Sequence, residues 1–458
     1  MNKKTLLVLL SMLLLYALWQ RATAQTILDS YIRTGLDSNL ALKQKSFDLQ
    51  KAKIDLERAK ALFYPQAGVN AEYTLAGGGR TIDVPVGDLL NNVYASLNQL
   101  TSSTKFPQVH NQSIQFLPND YHDTKVEVSL PIYNPSLSYN KMIKSELINN
   151  QQQQVNLYKR ELVNSIRQAY YQYLQSAKAV SIYNNALATV NENLRFAEKL
   201  VKNNAATKEV VFKARAEVSQ VQTSLTGANQ NQKNAAAYFN FLLNRPFETS
   251  IALDTAIIQS LDNEMKIAVD VPANREELQQ LKSSEKALEI NLKLNETYKL
   301  PVVNGFYNIG FQGYGYKFND KQFYQIGGIQ LQWNIFKGND NKLKARQSQI
   351  DIEAIKNQYN NTEKQILLQV TTTYNTYQSA LEAMHSSYDE VISTKEVFRL
   401  AQSRYREGQA LQIELVDART QMTNAEIRYS LAQLAVLTRS AELERVMATY
   451  TIEPTVAR

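Results

Sequence analysis

Few residues in this 458-residue chain could do covalent or metal chemistry. There is no cysteine, which excludes disulfides, thiolate metal sites and cysteine nucleophiles. The three histidines, His110, His122 and His385, are too few and too scattered to suggest zinc. His110 and His122 share one polar segment, where a solvated loop is the simpler expectation. No set of nucleophile, base and orienting partner is visible, so no enzyme activity, metal or cofactor is expected. Among the 43 acidic residues, Glu414 and Asp417 stand three residues apart and so on one helical face. Such pairs are common on solvated helices. Crowded together with further copies of themselves, they would repel one another and favour cations.

The elements that must position such a pair are repeated. Ile166–Arg215 can be laid on Val370–Arg419 without a gap, at an offset of 204 residues. Tyr170 meets Tyr374, Tyr173 meets Tyr377, Glu192 meets Glu396, and Ala214-Arg215 meets Ala418-Arg419. The copy duplicates an architecture, and it implies quasi-equivalent halves around an axis. No glycine or proline occurs from Ser136 to Thr226 or from Asn339 to Glu407, which predicts very long helices over about Ser136–Asn203 and Asn339–Glu407. Val370, Tyr374, Tyr377, Leu381, Met384, Tyr388 and Val391 follow the 4-3 spacing of a coiled-coil seam. The seam resumes beyond a break at Thr207, Val211, Ala214, Val218, Val221 and Leu225, matched by Leu411, Leu415, Ala418, Met422, Ala425 and Tyr429. The breaks are Lys202-Asn203-Asn204-Ala205 and Arg406-Glu407-Gly408-Gln409, where Asn and Gly suit the left-handed conformation that ends a helix. Each half is expected to be a long antiparallel helical hairpin.

Before each long helix the hydrophobic period changes to two. Val126, Val128, Leu130 and Ile132 alternate with polar residues, as do Ile329, Leu331, Trp333 and Ile335. Partner strands are expected through Val69, Ala71, Tyr73 and Leu75, and through Val303, Gly305, Tyr307, Ile309 and Phe311. The pattern fits a half-buried strand in a soluble sheet. It also fits a membrane barrel strand with a lipid face and a wet face, the favoured reading given the aromatics Tyr133, Trp333 and Phe336 at the strand ends. Four strands cannot close a barrel, so it would be shared between chains, with eight strands from two copies or twelve from three. Between its strands the first hairpin carries Ala76–Thr124, whose Gly77-Gly78-Gly79 and Ser/Thr/Asn-rich Asn91–Ser113 look loop-like, whereas the second carries only about Gly313–Phe323. Long loops of such barrels face outside.

The N-terminus is expected to be a secretory signal over residues 1–24: Lys3 and Lys4, an apolar Leu6–Leu18, and Ala22-Thr23-Ala24 before Gln25. Without a cysteine at that point no lipid anchor is expected. The formal charge of +7 falls to about +4 once Lys3, Lys4 and Arg21 leave. Basic and acidic residues are interspersed, as in Lys51–Arg58, which argues against a nucleic-acid partner.

Taken in order, the signal, the two strand-plus-helical-hairpin repeats and the turn Tyr405–Ala418 resemble the TolC-like outer-membrane efflux proteins. Pro131-Ile132-Tyr133-Asn134-Pro135 and Asn334-Ile335-Phe336-Lys337-Gly338 resemble that family's strand-to-helix junctions. The resemblance covers essentially the whole mature chain and rests on the ordered set of features. It implies a mainly α fold with a small β part: long antiparallel hairpins forming a trimeric α-barrel, continued by a shared 12-stranded transmembrane β-barrel with four strands per chain. The first repeat would be residues 25–245, a linker or equatorial segment 246–272, and the second repeat 273–458. It further implies a homotrimer in outer-membrane lipid, a periplasmic adaptor (membrane fusion) protein and an inner-membrane RND- or ABC-type transporter, for drug or metal efflux or type I secretion. The adaptor would dock on the hairpin tips at Asn203, Asn204, Ala205, Gly408, Gln409 and Ala410. Glu414 and Asp417 match carboxylates that narrow the entrance, and Tyr405 matches a tyrosine that helps hold it shut. Ala410 stands where the family pattern has a basic residue, so the closing contacts must differ. The first-repeat equivalents are Val201, Val210 and Lys213, so a carboxylate ring would come from the second hairpin only. The alternative is a secreted coiled-coil structural protein or adhesin with a soluble β cap.

Overall fold

Proline and asparagine start the first of two very long helices. Pro135 takes the first helical position, where its missing N–H costs nothing, and Asn134 Oδ1 accepts the Ser136 N–H at 3.2 Å. That helix runs Pro135–Lys202, and its counterpart runs Asp340–Arg406. At about 1.5 Å per residue each is about 100 Å long. The computed structural model describes residues 27–254, 257, 270, 272, 274–336 and 338–451. The expected signal, most of the expected linker and Lys337 lie outside these residues.

The elements in chain order are α1 (Ile27–Ser38), α2 (Leu40–Ala61), β1 (Gln66–Thr74), β2 (Thr81–Val84), α3 (Val86–Leu100), β3 (Gln112–Gln115), β4 (Tyr121–Tyr133) and α4 (Pro135–Lys202). There follow α5 (Lys208–Leu242), α6 (Glu276–Glu296), β5 (Val302–Tyr314), β6 (Phe323–Gln332), α7 (Asp340–Arg406) and α8 (Gln412–Val446). Contacts divide the chain into two compact units: residues up to 53 with 146–286 and 351 onward, and residues 54–145 with 287–350.

The first unit is built on the helical hairpins α4–α5 and α7–α8. Its core joins Ile166, Tyr170 and Leu174 of α4 to Phe239 of α5 and Ile32 of α1. α1 crosses α4 at Gly35, where a Cβ would lie 2.3 Å from Ile166 Cδ1. Tyr170 donates to the Ala252 carbonyl at 2.8 Å and accepts the Asp254 N–H at 3.0 Å. Burial pushes its hydroxyl up to about 12. The seam of the second hairpin is buried at Val370, Tyr377, Leu381, Met384 and Val391, as the 4-3 spacing requires. Tyr388 of that seam is half exposed, its ring against Tyr429, and Thr207 and Leu411 also depart from expectation. Both are exposed, because they precede the first turns of α5 and α8 and sit outside the paired region.

The repeat also extends further than the sequence alone reveals. α5 starts and ends 204 residues before α8. Asn204 and Gly408, with φ of +54° and +76°, take the same left-handed position at the two tips. Asn244 and Ala448, with φ of +52° and +53°, do so again where α5 and α8 end.

In the second unit β1-β4-β5-β6 form one antiparallel sheet with β1 and β6 at its edges. Val69, Val126 and Ile309 stand in one cross-strand row, and Ala67, Val128 and Tyr307 in another, which gives one apolar face. Asn70, Lys125 and Tyr324 fall on the opposite face. There Lys125 Nζ lies 2.8 Å from Asp123 and 3.3 Å from Glu127, and the Tyr324 hydroxyl donates to Asp123 at 2.8 Å. The apolar face is uncovered: Val69 is 76% and Ile329 72% exposed. Tyr64, Tyr133, Trp333 and Phe336 ring one end of the strands. Tyr73, Tyr121, Tyr314 and Phe323 ring the other. Leu75, Trp333 and Ile335 fall just outside the strands. Among the described residues no helix is long and apolar enough to cross a membrane.

Two expectations are corrected here. His122 is fully buried in β4, not in a solvated loop: its ring packs on Tyr316 and Phe318, and Nε2 faces Gln322 Oε1 and the Lys317 carbonyl. The tract Asn91–Ser113 is not a plain loop either. Its first part completes α3, because Leu90, Tyr94 and Leu97 recur at helical spacing, and β2 pairs with β3 beside it.

The tips give a direct test of the repeat. Gly408→Ala forces a Cβ into the left-handed region and should cost about 1–2 kcal/mol, whereas Asn204→Gly should be neutral to slightly stabilising. Amide exchange at residues 403–411 and 199–207 measures both. Equal effects at the two sites would show that the tips do not share this constraint.

Candidate functional site

Each tip closes with three backbone hydrogen bonds. In the first they run from Asn203 N to Lys199 O (3.1 Å), Asn204 N to Val201 O (3.1 Å) and Ala205 N to Leu200 O (2.9 Å). In the second they run from Glu407 N to Ser403 O (3.1 Å), Gly408 N to Tyr405 O (3.1 Å) and Gln409 N to Arg404 O (2.8 Å). Every donor and acceptor is displaced by the same offset, so one backbone is built twice. Asn203, Asn204, Ala205, Gly408 and Gln409 are exposed, and Ala410 is half-buried.

The side chains differ. Glu414 lies in the first turn of α8, where its Oε1 accepts the Leu411 N–H at 3.4 Å. Its Oε2 lies 3.8 Å from Arg404, an exposed contact. Asp417 accepts from Gln421 Nε2 at 2.7 Å. Both carboxylates are exposed in the single chain, so neither is committed to a buried partner. At the matching place in the first hairpin, Lys213 pairs with Glu209 at 2.6 Å.

Tyr405 packs against the first hairpin. Its ring lies edge-on to Phe196 of α4, with centroids 5.8 Å apart. Burial, with a smaller contribution from the Glu217 carboxylate, raises its hydroxyl above the ordinary tyrosine range. Glu192, Asn193, Phe196, Gln402, Tyr405 and Arg406 line a cleft of about 220 Å³ between α4 and α7. Arg406 closes one side by an ion pair to Glu192 at 2.8 Å.

Sequence reading missed a buried tie between the hairpins. Arg419 of α8 meets Glu217 of α5 at 2.5 Å, with both side chains only 6–7% exposed. Burial pushes the Glu217 carboxyl above the usual carboxylate range, against the pull of Arg419, and lowers Arg419 in turn. Arg419 Nε and Nη1 find no hydrogen-bond partner among the described residues. The repeat did single out this position, since Arg419 aligns with Arg215. Arg215, however, makes an exposed pair with Glu198 on its own hairpin at 3.4 Å. Identical residues thus take different partners, which one sequence cannot reveal. Such an arrangement can tie two hairpins together and present carboxylates near their tips.

Residues 268–449 match the family model described as outer membrane efflux protein. Comparison with curated protein sequences returns no match. The chain is similar in fold to the outer membrane protein VceC of Vibrio cholerae, at 15% identity and TM-score 0.69, over 94% of this chain and 97% of that one. It is also similar to CusC, at 13% identity and TM-score 0.72, over 92% and 91%. The open-state MtrE outer membrane channel of Neisseria gonorrhoeae matches at 15% identity and TM-score 0.69, over 92% and 88%. At these identities the likeness is one of fold, and it extends over nearly the whole chain.

Removing one member of a buried ion pair leaves a buried charge, at a cost of about 3–5 kcal/mol. Arg419→Met, which leaves the Glu217 carboxylate buried without its cation, should therefore speed amide exchange in residues 208–225 and 412–425, and the Glu217→Met, Arg419→Met double variant should recover most of the protection. The raised Glu217 pKa means that the folded chain holds this proton more tightly than the unfolded chain. Between the ordinary carboxylate pKa and the raised one, its contribution to stability falls as pH rises. The double variant should lack that slope. Identical exchange in all three proteins would show that the pair ties nothing.

Proposed function

We propose that this chain is one of three identical subunits of an outer-membrane exit duct, fed by a periplasmic adaptor and an inner-membrane pump. The observation that carries the reading is the sheet: four strands, one uncovered apolar face, one polar face and two free edges. An apolar face of this size suits lipid, but an open strand edge in hydrocarbon leaves backbone groups unsatisfied at several kcal/mol each. Joining β6 of one copy to β1 of the next removes every edge. Two copies would give eight strands and a lumen filled by side chains; three give twelve and an aqueous one. The polar face, with Glu72, Asp123, Lys125 and Glu127, then lines water, and the two aromatic ends lie at the two membrane interfaces. The fold neighbours and the family match over residues 268–449 support this reading.

Passage through such a duct is passive, and nothing in it requires catalysis or a cofactor. The segment between β1 and β4 lies at the cell surface, and the hairpins extend into the periplasm, where the tips at Asn203–Ala205 and Gly408–Ala410 meet the adaptor. Three copies of Glu414 and Asp417 form a ring of six carboxylates at the entrance. Tyr405, seated on Phe196 and near Glu217, holds the outgoing helices together just beside it.

Outer-membrane fractionation followed by sizing in mild detergent tests the assembly: a trimer is expected, and a detergent-independent soluble monomer would overturn it. Planar-bilayer recording tests the ring. The Glu414→Gln, Asp417→Asn variant should lose cation preference and block by multivalent cations while still forming trimers. Unchanged selectivity would remove these residues from the entrance.

A further inference from the structure

The insert between β1 and β4 contains a helix with two different faces. One face of α3 is strapped along its length by residues 106–111. Asn111 Oδ1 accepts the Asp88 N–H at 3.1 Å, and its amide donates to the Asp88 carboxylate at 2.9 Å. Asn91 donates to the Val109 carbonyl at 3.0 Å and accepts the Val109 N–H at 2.8 Å. Asn98 does the same with Phe106, at 2.7 Å and 3.1 Å, and Tyr94 packs on the Phe106 ring. At Gly87 the strap comes so close that a Cβ would lie 2.4 Å from the Val109 carbonyl oxygen. This helix cannot roll.

The opposite face is bare. Leu89, Val93 and Leu100 are 68%, 52% and 82% exposed, and with Ser96 between them they recur at 4-3-4 spacing. That spacing marks a narrow seam along which another helix packs. A helix lying in a membrane surface instead presents a broad apolar face bordered by Lys and Arg. The only charged residue in α3 is Asp88, so attraction to anionic headgroups is lacking.

We infer that this seam is covered by the same helix of the neighbouring copies, so that three α3 helices meet over the outer mouth of the duct. The inference rests on the trimer proposed above. It follows from where the insert begins: it leaves the sheet at β1, an edge strand that in the proposed trimer pairs with β6 of the next copy. An apolar seam held rigid and turned away from its own chain is matched by an identical seam delivered by the same symmetry. The contact restricts the mouth, a function separate from the entrance carboxylates at the other end.

The natural chain has no cysteine, so a single introduced one is an unambiguous reporter. Val93→Cys and, as control, Asn92→Cys on the helix flank are treated on intact cells with a short bismaleimide. Trimer content is measured separately by size in mild detergent. Expected is efficient cross-linking of Val93→Cys into dimers of this chain, up to roughly two of every three subunits, the ceiling for one cysteine per subunit of a trimer, with little from Asn92→Cys. Expected too is a higher single-channel conductance for Leu89→Glu, Val93→Glu with the trimer intact. A trimer in which Val93→Cys links no better than Asn92→Cys, or links to a different protein, overturns the inference and leaves the duct standing. Absence of the trimer overturns both.

Discussion

The unpaired backbone at β1 and β6 is the constraint on which the rest depends. A four-stranded sheet with an uncovered apolar face has no stable solution as a single chain in lipid, because its two edges cannot be hydrated there. Closing the edges against other copies fixes a symmetry axis, and that axis gives every other feature its role. In the duct proposed above, the alternation of polar and apolar rows becomes a lumen and a lipid face, and two exposed carboxylates on one hairpin become a ring. Without the axis each of these is an ordinary solvated surface.

The helical part meets the same demand by duplication. Two hairpins with one backbone supply quasi-equivalent staves, and the offset of 204 residues persists through tips, helix starts and terminal left-handed residues. Divergence is confined to side chains. Asn204 and Gly408 reach the same left-handed geometry by different means. Val210 and Lys213 of one hairpin stand where the other carries Glu414 and Asp417. The buried Glu217–Arg419 pair joins α5 to α8 within one chain, and its unmet Arg419 donors mark it as a tie held under cost.

Relations between distant side chains were the hardest to foresee. The 3.5-residue seam and the absence of glycine and proline located both long helices to within a residue or so, and both left-handed tip residues were legible from their types. The exposure of Leu411 was not, because periodicity continues through a turn that packing does not. His122 belonged to a polar-looking stretch, yet β4 extends through it and the loop after β5 folds back to cover it. Helix α3 was hidden in a tract rich in Asn and Ser. Those residues usually signal loops, but here Asn91, Asn98 and Asn111 use their amides to strap the helix to its own following segment.

The sequence by itself determined what local chemistry controls: helix length, turn type, strand alternation and the duplication, since each depends on residues a few positions apart. It also ruled out thiol and disulfide chemistry. Only the tertiary structure decided which charges meet. Arg419 and Arg215 are the same residue in the same repeat position, and the choice between Glu217 and Glu198 rests on how the two hairpins lie beside one another. Burial, which turns such a pair from a screened surface contact into a costly internal tie, is a property of the packed chain alone.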